Sequence, residues 1–146
     1  VKSLAFVLAT TLLAGGCQAF KWETRCEREA NTLSAATTDT AFYLERVQPE
    51  LKAGFRALLA CDRISEDCDA ELWLTRAQTL KFEHRGVHAR FANAVDQWRP
   101  EACVSHVRTW RIDPPDPDAY RGYFFALSET GDQIDELLDR FERRAG

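Results

Sequence analysis

Long apolar runs are the first thing this chain lacks. Its 146 residues contain no stretch of the roughly 20 apolar residues that a membrane-spanning helix needs; the longest run is Leu4–Ala14. A basic excess is missing too. Lysine and arginine number 19 against 23 aspartates and glutamates, a net charge of −4. That balance argues against nucleic acid as a partner, and against electrostatic attachment to anionic lipid. Period-two runs of β-branched residues are absent, so nothing reads as a strand. No Gly-x-Ser-x-Gly elbow, phosphate-binding loop or Cys-x-x-Cys-His haem signature occurs. Internal repeats and low-complexity tracts are absent as well. These gaps leave a modest helical domain with no legible reaction.

The N-terminal segment is the strongest positive signal. Lys2 is followed by the apolar Leu4–Ala14, then Gly15-Gly16-Cys17-Gln18. A charge, an apolar core of about 7–15 residues and a small-residue end make the layout of a secretory signal peptide. The end, Leu13-Ala14-Gly15-Gly16-Cys17, resembles the lipobox of bacterial lipoproteins. The usual pattern has Leu three residues before the cysteine; here Ala14 stands there and Leu13 one place further out. The resemblance implies a diacylglyceryl thioether on Cys17, removal of residues 1–16 and an acylated new amine. With Gln18 rather than Asp after the cysteine, it also implies sorting to the outer membrane, facing the periplasm. The alternative is an ordinary signal peptide cut after Ala19, with Cys17 discarded. The expected division is therefore 1–16 signal, 17–21 lipidated cysteine and tether, and 22–146 a single helical domain. Loss of Lys2 takes the net charge from −4 to −5. The tether residues Gln18 to Lys21 reach at most about 14 Å, which holds the domain against its membrane.

Beyond Cys17 there are four cysteines: Cys26, Cys61, Cys68 and Cys103. An even number in an exported chain reads as two disulfides. Cys61 and Cys68 flank a short polar stretch and pair most easily, which leaves Cys26 for Cys103. Closing that loop of about 78 residues contributes roughly 4 kcal/mol in the chain-entropy view. A metal site is the competing reading, and the spacings do not suit one.

Apolar residues recur at three and four almost throughout, the helical period. Stripes run through Trp22, Cys26, Ala30 and Leu33; through Leu44, Val47, Leu51, Phe55 and Leu58; and through Trp73, Ala77, Leu80, Val87, Phe91, Val95 and Trp98. A short one holds Cys103, Val107 and Trp110, and the last holds Tyr120, Phe124, Leu127, Ile134, Leu138 and Phe141. The domain reads as all-α, a small bundle of about four to six helices cross-linked by two disulfides. Expected breaks are Thr37-Thr38-Asp39-Thr40, the start of a helix at Pro49, and the proline-rich Asp113–Asp118. Pro100 with Glu101 is expected to open another helix. The acidic run ending at Asp69 suits a helix N-terminus. A Cys26–Cys103 bridge favours a chain reversal near Gly86.

Candidate chemistry is thin. His84 and His88 are spaced i, i+4 and share a helix face, as zinc ligands do. Arg85 occupies the place where the zincin motif needs Glu, and no third ligand is evident, so packed or solvated histidines are the plainer reading. Leu74-Thr75-Arg76-Ala77-Gln78 matches LTxxQ, a motif that is similar to one recurring in the CpxP/Spy family of periplasmic stress chaperones. Members carry a second copy and are rich in methionine; this chain has one copy and no Met. In Tyr120-Arg121-Gly122-Tyr123-Phe124-Phe125, consecutive residues lie about 100° apart on a helix, so the aromatics cannot all face one core. Tyr120, Tyr123 and Phe125 are the candidate partner-binding residues.

The expectation is a non-enzymatic lipoprotein of the bacterial envelope without a cofactor. Cys17 holds it to a membrane, and it works by binding another envelope protein as an assembly accessory. A periplasmic stress chaperone or sensor is the alternative. A metal-binding protein using His84 and His88 stands behind both.

Overall fold

The computed structural model describes residues 25–63, 68–100 and 117–146. They form three α-helices: α1 (Arg25–Asp62), α2 (Ala70–Gln97) and α3 (Pro117–Ala145). At 1.5 Å per residue they are about 57, 42 and 43 Å long. Each helix touches both others. Tyr43 meets His84 and Gly54 lies against Trp73, so α1 and α2 run antiparallel. Gly54 also meets Leu137, and Asp62 meets Arg140, so α3 runs parallel to α1. The result is an up-down-up bundle with one shared core.

The all-α reading stands, but its finer terms are corrected. Among the described residues there are three helices, not four to six, and one complete disulfide, Cys61–Cys68, not two. Cys26 is also disulfide-bonded, and its expected partner Cys103 lies outside the described residues. So do Cys17, Trp22, the Cys103–Trp110 stripe and the helix expected after Pro100.

The helix number falls because α1 absorbs two stripes and both breaks expected between and within them. Thr37, Thr38 and Thr40 do not cap a helix end. Their hydroxyls donate to the carbonyls of Leu33, Ser34 and Ala36, four residues back, at 2.8, 3.0 and 2.8 Å. A threonine satisfied in this way costs a helix only tenths of a kcal/mol, roughly its propensity deficit. Pro49 lies inside the helix, not at its start. It removes the N–H that would bond Glu45, but both residues are exposed, so water reaches the freed carbonyl. On either side, Val47 and Leu51 are almost wholly buried and hold the helix together.

Likewise, α2 passes unbroken through Gly86, and the expected reversal does not occur. Gly86 costs about 1 kcal/mol against Ala, less than the neighbouring buried His84, Val87 and Phe91 return. No reversal is needed, because one continuous α1 sets Cys26 at the opposite end from Cys61, beside the C-terminal end of α2. Asp69 caps α2, its side chain accepting from the Leu72 N–H at 2.9 Å. Pro117 opens α3, where its missing N–H is not required.

Phe91, Phe141, Leu33, Leu51, Leu58, Leu127, Ile134 and Val47 form the most deeply buried column. Phe91 packs edge-on against Tyr123 at 5.8 Å and tilted against Phe124 at 5.0 Å. Trp73 stacks on Phe141 at 6.3 Å. The backbones of α1 and α3 come close at Gly54, where a Cβ would stand 3.0 Å from Leu137 Cδ1. At the disulfide end, Arg144 donates to the Cys61 carbonyl at 3.2 Å and pairs with Asp62, tying α3 to the end of α1.

Candidate functional site

The most polar part of the core sits at mid-height, where all three helices meet. His84 of α2 is buried, with Tyr43 of α1 on one side and Gly131 of α3 on the other. Tyr43 Oη and His84 Nδ1 are 3.2 Å apart. The other ring nitrogen, Nε2, would stand 2.9 Å from a Cβ at position 131, so glycine there leaves the space that the imidazole fills. Both nitrogens of His84 therefore face protein.

The surroundings favour the neutral forms. Burial lowers the His84 pKa, and His88 and Lys81 lower it further, with Asp135 opposing them. The Tyr43 hydroxyl is pushed up to about 12, chiefly by burial and then by Glu83. At neutral pH a protonated phenol can donate to a neutral imidazole. Ion pairs flank the cluster: Arg46 of α1 to Glu83 of α2 at 2.6 Å, and Lys81 of α2 to Asp135 of α3.

His88 is exposed, its ring 6.1 Å from that of His84 and edge-on to Phe124. The two imidazoles are neighbours, as the spacing requires. No group of three or more His, Cys, Asp or Glu among the described residues could hold a metal ion. What the arrangement does chemically is fix the register of three helices through one polar contact and one close approach.

The candidate partner-binding aromatics are split by the structure. Tyr120 is buried, Tyr123 is half-buried against Phe91, and Phe125 is 72% exposed. Phe42 of α1 and Phe82 of α2 also project outward, so each helix carries one exposed phenylalanine. In the LTxxQ segment Ala77 is buried, Leu74 is half-buried, and Thr75, Arg76 and Gln78 are exposed, with Arg76 over the Trp73 ring at 5.0 Å.

A shallow groove runs between α1 and α2, a feature the sequence reading did not anticipate. It encloses about 420 Å³ and is lined by Thr32, Ala35, Ala36, Thr40, Val87 and Ala94, with Asp39 and Arg90 among its polar residues. It continues past Phe42 into a second depression that shares Asp39, Val87 and Arg90. The spacing of Ala35, Asp39 and Phe42 on one face was a readable signal, but a face lined by small residues looks the same in a sequence as a poorly buried one. Among the described residues no helix is long and apolar enough to cross a membrane. Compared with known proteins, the chain matches no family model, no curated protein and no solved structure.

Proposed function

We propose that this chain is a membrane-anchored lipoprotein of the bacterial envelope that works by binding another envelope protein and catalyses no reaction. The address rests on the lipobox-like run Leu13–Cys17. Two acyl chains hold a protein stably where one is marginal, each buried CH₂ adding about 0.8 kcal/mol. The binding role rests on Phe125, which stands out at 72% exposure on a helix that buries Tyr120, Leu127, Ile134 and Phe141. An aromatic held in water by an otherwise satisfied helix is a candidate anchor for a partner's pocket.

Two experiments test the halves separately. Labelled fatty acid is expected in the wild-type chain and not in Cys17→Ser; equal labelling overturns the anchor. A photo-crosslinker placed at Phe125 in intact cells is expected to give a discrete adduct with a different envelope protein. An adduct with its own chain, or none, overturns partner binding at this face.

A further inference from the structure

The outward face of α3 is one-sided in charge. From Gly122 to Asp139 the helix carries Glu129, Asp132, Asp135, Glu136 and Asp139, and no lysine or arginine. Asp135 pairs with Lys81, Glu136 with Arg140 and Asp139 with Arg143. Glu129 and Asp132 make no ion pair among the described residues. Instead each has an acid three or four places along, Asp132 for Glu129 and Asp135 and Glu136 for Asp132. Like charges at those spacings cost a helix stability. On α1 the same spacing is used to offset charge, Arg25 with Glu29 and Arg46 with Glu50. The middle of α3 therefore carries a charge that the fold itself does not answer.

That charge is aligned with the exposed aromatic. At about 100° per residue, Phe125, Glu129, Asp132 and Glu136 point within about 60° of one another, and all four are exposed. They span about 16 Å of the helix. Gly122, one turn before Phe125, meets nothing within 4 Å of where a Cβ would stand, which leaves open space beside the ring. Resting on the reading of Phe125 as an anchor, we propose that this face of α3 binds a basic amphipathic helix of another envelope protein. One large apolar side chain of that helix lies against Phe125 and Gly122. Lysine or arginine four, seven and eleven residues along it lies over Glu129, Asp132 and Glu136.

Charge decides among the occupants. A second copy packed isologously would set this acidic strip against itself. An anionic lipid surface would be repelled by it. A basic helix answers each carboxylate and relieves the repulsion between them. Exposed pairs of this kind are individually weak, so the apolar contact at Phe125 supplies the hold, and the strip supplies partner choice and the rate of encounter.

A photo-crosslinker at the exposed Ser128 of the full chain, in isolated envelopes, tests this and leaves Phe125 in place. An adduct is expected whose mass-mapped partner segment has lysine or arginine at two or more of those spacings from a large apolar residue. Its yield is expected to fall at least about tenfold in Glu129→Lys with Asp132→Lys. It is also expected to fall between about 0.1 M and 1 M salt, where the Debye length shortens from about 10 Å to 3 Å. The lysines replace like-charge neighbours with opposite ones, so an undiminished melting temperature will show that the variant folds. An adduct lost in Phe125→Ser but indifferent to salt and to the lysines, or one on a segment without basic residues, overturns the basic partner and leaves the anchor standing. No adduct, an adduct with the chain itself, or one indifferent to Phe125→Ser overturns both.

Discussion

Two glycines in α3 differ in what a methyl group would meet, and so in the sign of its effect. At Gly131 a Cβ would crowd His84 Nε2 at 2.9 Å; at Gly122 it would meet nothing within 4 Å. Gly131→Ala is expected to lower the unfolding free energy by about 1–3 kcal/mol, the usual cost of overpacking. Gly122→Ala is expected to raise it by about 0.5–1 kcal/mol through helix propensity and a less free unfolded chain. Urea unfolding of both variants checks the contrast, and equal signs would contradict the packing described. His84 adds a pH dependence. Its folded pKa lies below the ordinary 6.5, so as pH falls through 6.5 the unfolded chain takes up the proton first. Stability is then lost progressively until the folded pKa is reached. Unfolding free energies measured from about pH 7 to pH 5 are expected to fall, with a shallower slope in His84→Gln. Of this cluster, the sequence showed His84 and His88 on one face, and the plainer reading of packed histidines matches His84. Tyr43 and Gly131 were not legible, because hydrophobicity marks Leu44 on α1 and nothing marks an absent Cβ.

At the scale of the helix, α1 shows how packing overrides local signals. Its core seam is Thr40, Tyr43, Val47, Leu51, Gly54, Leu58 and Cys61, all buried and spaced by threes and fours. The sequence stripe named Leu44 and Phe55 in place of Thr40, Tyr43 and Gly54, one residue off in angle. Gly54 belongs to the seam because α3 approaches it through Leu137, and the latter is buried where the stripe had named Leu138. Pro49 remains a cost inside this helix, since it removes a backbone bond and faces solvent. Pro49→Ala is expected to raise the unfolding free energy by about 1–3 kcal/mol, read from the shift of the urea midpoint at constant slope. No gain would mean that the helix is already broken there.

For the whole molecule, one end of the bundle is tied covalently and by ion pairs where α1 ends and α2 begins. The Cys61–Cys68 disulfide closes that corner with a Cα separation of 4.8 Å. Arg140 and Arg144 bring the end of α3 to the same corner through Asp62. The Cys61→Ser, Cys68→Ser pair is expected to lose about 2–3 kcal/mol, the chain-entropy value for a loop of roughly eight residues. Thermal unfolding of that variant in oxidising buffer checks it. An unchanged melting temperature would mean that the salt bridges alone hold the corner.

Composition and spacing alone indicated that this protein is helical, that Cys61 pairs most easily with Cys68, and that Tyr123, Phe124 and Phe125 cannot all face one core. Each follows from chain-local physics: residue spacing, a short loop, and the angle between helical neighbours. Tertiary structure decided how many helices the stripes make, which residues form the seam, and that Asp39, Phe42 and Arg90 share one groove. Those depend on how closely two helices approach, and that distance is set by side chains far apart in the chain.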